Sequence, residues 1–207
     1  MRKARQMVMT DYATQLSKFV THPKTTGAIT PSSKNLAQKM VEWTDWESVN
    51  TVVQYGPGTG VFTEQIMANL NPGAKFIAIE INSVFAEMTR TRFPRIKVHH
   101  DSVQNVHEIC IREGVSEVDV VISGIPWAFV SHADQESALD ATLSVLRQGG
   151  QFVTFAYLNG LLLPEGQHFR KLLRQKFSHV ETSSATWLNL PPAFVYRCIN
   201  NPVAAQT

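Results

Sequence analysis

Apolar, β-branched runs alternate along the middle of the chain with stretches whose apolar positions recur at helical spacing. The runs lie at residues 51–55, 75–80, 96–100, 118–123 and 151–157. Short, nearly continuous apolar runs read as strands buried on both faces, as in a parallel sheet. Between them, residues 61–71, 83–92, 103–113 and 134–147 carry helical patterns. Strand alternating with helix predicts an α/β fold, mostly parallel, with helices on both faces of the sheet. Asn71-Pro72-Gly73 and Gly149-Gly150 punctuate the pattern, glycine being able to take the left-handed conformation that ends a helix. Past Gly166, a helix over 168–176 precedes two more strand-like runs, 179–187 and 193–199. These two fit a C-terminal antiparallel hairpin, which brings the sheet to seven strands.

Two helical segments precede this unit. The first, about 6–20, sets Val8, Tyr12, Leu16, Phe19 and Val20 on one stripe, with Met9 and Ala13 beside them. The second starts at Thr30-Pro31-Ser32-Ser33, a hydroxyl N-cap with proline at the first helical position. Residues 1–40 are thus expected to form an N-terminal helical segment and residues 41–207 the sheet domain. No internal repeat or low-complexity segment interrupts them.

A chain of 207 residues suits one domain with a short appendage and buries enough core to need neither disulfides nor structural metal. Two cysteines, Cys110 and Cys198, make no disulfide framework or zinc cluster, and the default is a reduced, intracellular protein. No run is long and apolar enough to span a bilayer, and no secretory signal follows the basic start. Net charge is only +2, which argues against a protein that coats nucleic acid. That average hides a division. Residues 1–40 carry +6, residues 41–160 carry −7 and residues 161–207 carry +3.

The strongest local chemistry is Gln54-Tyr55-Gly56-Pro57-Gly58-Thr59-Gly60, a glycine-rich turn between the first strand and its helix. A dinucleotide fingerprint would need glycine at position 61, where Val61 stands. The G-x-G-x-G spacing suits S-adenosylmethionine (SAM), which has no pyrophosphate and needs no phosphate cradle at a helix end. The second strand ends in Glu80, followed by Ile81, and a carboxylate there can accept both ribose hydroxyls. The third strand ends in Asp101-Ser102, where the acid could accept from an adenine amino group. Glycine turn and two acids at successive strand ends make a cofactor site rather than a plain turn.

With these residues in place, the chain resembles class I SAM-dependent methyltransferases, Rossmann-like enzymes, and their rRNA adenine dimethylase branch. More specifically it is similar to bacterial phospholipid N-methyltransferases, which convert phosphatidylethanolamine to phosphatidylcholine. The resemblance is carried by residues 26–33, 55–63, 78–82, 123–127, 152–160 and 190–197, nearly the whole chain. It implies SAM as methyl donor, with Gln54, Gly56, Pro57, Gly58, Thr59, Gly60, Glu80, Ile81, Asp101, Ser102 and Ser123 around it. The family usually has an acid where Gln54 stands, and a neutral amide loses the charge-assisted bond to the methionine amino group.

The fourth strand ends in Ser123-Gly124-Ile125-Pro126-Trp127. Gly124 takes the place of the Asn in the N-x-P-Y pattern of base methylases, so the side-chain amide that would hold an adenine N6 is missing. A phosphoethanolamine amine must instead lose a proton before attack, which partial desolvation eases. Its methylated products are cations, which aromatic faces attract. Trp127, Tyr157 and Tyr196 are therefore the candidate acceptor-site residues, with Phe129 and Phe194 either beside them or in the core. No general base is assigned. His99-His100 and His107 match no metal pattern, since neighbours on a strand point to opposite faces.

The apolar stripe of residues 6–20, bordered by Arg2, Lys3, Arg5 and Lys18, reads either as a packed helix roofing the site or as an interfacial one. The resemblance favours contact with an anionic membrane through residues 1–24, and so a cytoplasmic enzyme at the inner face of the cell membrane. Two alternatives stand beside this. One is an RNA adenine methyltransferase that uses the basic termini on phosphates; the other is a non-catalytic SAM- or lipid-binding module. No metal and no protein partner are inferred.

Overall fold

The computed structural model describes residues 34–201. The expected N-terminal helix over 6–20, its basic border, and the helix start at Thr30 lie outside them. The described chain runs α1 (Lys34–Lys39), β1 (Thr51–Tyr55), α2 (Val61–Asn69), β2 (Lys75–Glu80), α3 (Ser83–Arg92), β3 (Lys97–His100), α4 (Val106–Arg112) and β4 (Val118–Ser123). It continues through α5 (His132–Val145), β5 (Leu146–Tyr157), α6 (Pro164–Lys176), β6 (His179–Thr182) and β7 (Ala193–Asn200). The seven strands order as β3-β2-β1-β4-β5-β7-β6. The first five are parallel, and β7 runs antiparallel to both β5 and β6.

Central strands β1 and β4 are buried along their whole length, which explains their unbroken apolar runs. On one face Val52, Ala78, Ile122, Val153 and Val195 pack with Leu36 of α1, Met40 just past its end, and Phe62 and Ile66 of α2. On the other, Val53, Tyr55, Val121, Phe152 and Cys198 pack with α4, α5 and α6 through Ile109, Leu139, Phe169 and Leu173. Both cysteines are buried, unpaired thiols.

Three expectations are corrected. Gly149-Gly150 does not end a helix. The helix stops at Val145, and both glycines lie inside β5, which starts five residues earlier than expected. Gly149 takes φ 73°, next to a register shift in the β4–β5 pairing, as an irregular strand entry requires. The strand expected over 179–187 ends at Thr182, because the Ser183 hydroxyl, not a backbone carbonyl, accepts the Val195 N–H at 3.0 Å. Helix α6 begins at Pro164 rather than residue 168, its proline in the first helical turn.

At the far end of the sheet, Asp119 ties β1 to β5. Its Oδ2 accepts the N–H groups of Asn50 and Thr51, both at 2.9 Å, and its Oδ1 accepts Arg147 Nε at 2.5 Å. Burial alone would raise this carboxyl's pKa, but Arg147 and the two backbone donors together hold it below its ordinary value. A lowered carboxylate stabilises the fold above its unfolded pKa, about 3.9, and loses that contribution as pH falls through the folded value. Asp119→Ala is expected to cost about 2–3 kcal/mol at neutral pH, on the scale of hydrogen bonds to a charged group. Urea denaturation should show the gap from the parent protein narrowing below pH 4, within the range where carboxylates protonate (about pH 3 to 4).

Candidate active site

The C-terminal ends of β3, β2, β1 and β4 lie side by side, because the strands are parallel and adjacent. Backbone bonds carry this edge one residue past the strands. Gly56 donates to the Ile79 carbonyl at 2.9 Å, Asp101 to that of Glu80 at 3.1 Å, and Gly124 to that of Tyr55 at 2.7 Å. The turns that follow these four strands are therefore held as one surface.

Within the turn, Gly56, Gly58 and Gly60 all have positive φ, at 60°, 54° and 86°. Gly60 must be glycine for a second reason: a Cβ there would sit 2.6 Å from the Phe93 ring. Pro57 is buried, whereas Gly58 and Thr59 are partly exposed. Glu80 reaches the turn directly. Its Oε2 accepts the Gly58 N–H at 3.1 Å and its Oε1 the Asn82 N–H at 2.9 Å. Burial raises the pKa of Glu80, and the backbone donors of Asn82, Gly58 and Ile81 only partly offset it. Beneath the turn, Gln54 is fully buried. Its Oε1 accepts the Thr63 hydroxyl at 2.8 Å, and its Nε2 has no hydrogen-bond partner. An orphaned buried amide is costly and fits a polar ligand that supplies its missing bond.

Asp101 lies at the same edge but is occupied locally. Its Oδ1 accepts Ser102 N–H at 2.8 Å and Asn105 Nδ2 at 2.7 Å, while Arg112 stands 3.5 Å from Oδ2. The Ser102 hydroxyl caps the following turn at Gln104. Ser123 is buried, and its Oγ accepts the Trp127 indole N–H at 3.1 Å and the Ile125 N–H at 3.3 Å.

The acceptor candidates do not converge. Trp127 is 3% exposed, stacks on Phe169 at 4.9 Å, and spends its indole N–H on Ser123 and Thr154. Tyr196 packs in the same core as Trp127, against Phe194. Tyr157 lies on the opposite face of the sheet, against Phe155. Burial pushes the Tyr157 phenol up to about 12 and raises that of Tyr196. Both stay protonated at neutral pH, so neither is poised to take a proton from an amine. Phe194 is buried, and Phe129 is 45% exposed.

Sequence reasoning missed the clamp on the outer edge of the turn. Arg92 donates to the Thr59 carbonyl at 2.6 Å, pairs with Glu64, and lies over the Phe93 ring. The only local signal is the Phe93-Pro94 pair that ends α3, and it does not say what the helix end will touch. A cleft of about 650 Å³ opens here between Gly58 and Thr59 and the α3 residues Ser83, Val84 and Met88. His99 faces Glu113 at 3.0 Å while His100 faces the Ile81 carbonyl, so the neighbouring histidines diverge. Among the described residues no three metal-ligating side chains come together.

Residues 52–150 match the methyltransferase domain family. Across 193 residues, 92% of this chain and 96% of the other, the sequence is 28% identical to the ornithine lipid N-methyltransferase of Singulisphaera acidiphila. The fold is that of solved methyltransferases at low identity. The O-methyltransferase TomG from Streptomyces achromogenes, in complex with SAM, superposes with a TM-score of 0.68 at 15% identity, covering 93% of this chain and 90% of that one. The N-methyltransferase NodS from Bradyrhizobium japonicum gives 0.65 at 13% identity, covering 81% and 96%.

Proposed function

We propose that this chain, a SAM-dependent methyltransferase of the class I fold, methylates the amine of a polar lipid headgroup, with phosphatidylethanolamine as the acceptor. The observation that carries the reading is similarity to a lipid N-methyltransferase along nearly the full length of both chains. Gly124 supports it. Its backbone packs so close to Gly56 that a Cβ would meet the Gly56 carbonyl at 2.6 Å, and no side chain stands there to grip a nucleobase amine.

SAM supplies an electrophilic methyl group on a sulfonium. Residues 56–60 would cradle it, and Glu80 would accept its ribose hydroxyls, with Ile81 beside them. The unpartnered Gln54 amide would bond a polar atom of its methionine end, with Asp101 and Ser102 at the edge beyond Glu80 and Ser123 buried beneath. Methyl transfer needs in-line placement more than acid–base work, so most of the acceleration comes from proximity. The ammonium gives its proton to solvent water as it is desolvated, and the raised tyrosines take no part in that step. The enzyme works at the inner face of the cytoplasmic membrane, where the basic residues 1–24 meet anionic lipid.

Vesicles of phosphatidylethanolamine or of ornithine lipid, incubated with the full chain and methyl-labelled SAM, separate the headgroups. Mono-, di- and trimethylated phosphatidylethanolamine is the expected product series. Label confined to ornithine lipid would overturn the choice of headgroup.

A further inference from the structure

Among the described residues, four of the eight exposed large apolar side chains lie in the loop between β6 and β7 and the turn after β5, while Val84, Met88, Ile111 and Phe129 lie elsewhere. Trp187, Leu188 and Leu190 are 70%, 79% and 63% exposed, and Leu162 is 80% exposed. The two segments leave neighbouring strand ends, since Tyr157 of β5 pairs with Ala193 of β7. The Leu158 N–H joins them by donating to the Pro192 carbonyl at 2.9 Å. Both lie at the sheet edge that carries the glycine turn, because β5 ends there and the antiparallel β7 begins there.

The loop is held in shape rather than loosely extended. Thr186 and Ala193 bridge across its base, the Asn189 N–H returns to the Thr186 carbonyl, and Asn189 Nδ2 donates to the Pro191 carbonyl at 2.8 Å. Asn189 itself is buried, so a polar residue fixes the inside while tryptophan and leucines face out. This inverts the usual arrangement of a solvated loop, and apolar patches of this kind mark interaction sites. Beside the turn, Leu161 lines a groove with Arg170, Lys171 and Arg174 of α6. All three cations are exposed, and none forms an ion pair among the described residues.

We infer that this edge is a membrane-docking surface, in which the 187–190 tip and Leu162 enter the headgroup layer of an anionic bilayer while Arg170, Lys171 and Arg174 meet its charge. Apolar tip plus basic flank is the chemistry of interfacial binding, and the positive groove selects an anionic bilayer over an apolar protein face. The surface lies at the cofactor edge, so docking brings headgroups to the site without pulling acyl chains into water. The inference deepens the lipid reading above and assigns membrane contact to residues other than the basic N-terminus.

The test uses the full chain, sedimented with phosphatidylglycerol–phosphatidylcholine vesicles, beside methyl transfer to a short-chain phosphatidylethanolamine dispersed below its micelle concentration. Trp187→Ser combined with Leu188→Ser should lower vesicle binding roughly tenfold. Its melting temperature and its activity on the dispersed lipid should match the parent. Arg170→Glu with Arg174→Glu should weaken binding to the anionic vesicles and leave binding to pure phosphatidylcholine unchanged. Vesicle binding equal to the parent in both double variants would overturn the docking surface. So would a fall in dispersed-lipid activity that tracks the loss of binding, since the loop would then belong to the acceptor pocket. A parent dimer that the tip variant dissociates, with vesicle binding intact, would also overturn it in favour of a second copy. If the parent fails on dispersed lipid while the variants still lose vesicle binding, docking stands and the headgroup reading falls.

Discussion

Replacing Glu80 by alanine is expected to weaken SAM binding roughly tenfold or more, the scale of lost hydrogen bonds to a charged acceptor. This carboxylate joins three things: the end of β2, the Gly58 N–H of the glycine turn, and the Asn82 N–H at the start of α3. Alanine leaves both donors without their acceptor and removes the only side-chain acid that, among the described residues, touches the turn backbone. Burial raises the pKa of Glu80, so its ionisation costs folding free energy. A carboxyl with a raised folded pKa favours the fold below its unfolded value, and that contribution is lost as pH rises through the folded one. The fold thus keeps a buried carboxyl whose charged form it disfavours, the mark of a group kept for a ligand. Titration calorimetry with SAM should show a large affinity loss in Glu80→Ala, together with a melting temperature near that of the parent. Unchanged affinity would remove Glu80 from the site.

Gly124→Ala should be comparably damaging through geometry alone. A Cβ at this position meets the Gly56 carbonyl at 2.6 Å, the Phe62 ring at 3.3 Å and the Tyr55 carbonyl at 3.4 Å. Two of these are backbone atoms at the head of the glycine turn, so relief must come from moving the turn itself. Overpacking of this kind costs about 1–3 kcal/mol. The same displacement opens the Gly58–Glu80 contact, so SAM affinity should fall along with stability. Gly73→Ala is the control, because nothing lies within 4 Å of a Cβ there. If Gly124→Ala binds SAM as tightly as Gly73→Ala does, the close contact between the β1 and β4 turns is not what shapes the site.

The alternation of buried runs with helical stretches made the sheet legible, because strands covered on both faces leave few polar positions to confuse the period. The glycine turn and its acid were legible for a related reason. Gly56, Gly58, Gly60 and Glu80 each answer a local demand, a turn or a strand end, that shows in the sequence. Residues that depend on register were not. Tyr157 and Tyr196 fall on opposite faces because Tyr157 pairs with Ala193, which places Tyr196 across from Thr154. One residue more or less in the preceding loop would reverse that. Trp127 sits in a short turn after β4 without periodicity, so only tertiary contact shows that its indole is spent on Ser123 and Thr154. Arg92 and Phe93 reach the turn from thirty-odd residues away, as Arg92 to Thr59 shows, a contact that spacing does not encode. Gly149-Gly150 looked like a helix end because glycine serves equally at helix ends and in irregular strands.

Methyl transfer to a lipid amine is tested directly by one assay. Full-length protein is incubated with methyl-labelled SAM and a mixture of phosphatidylethanolamine vesicles and unmodified rRNA, and the lipid and RNA fractions are counted separately. Label in the lipid fraction, lost when Glu80→Ala replaces the parent, is the predicted result. Label in the RNA and none in the lipid would contradict it.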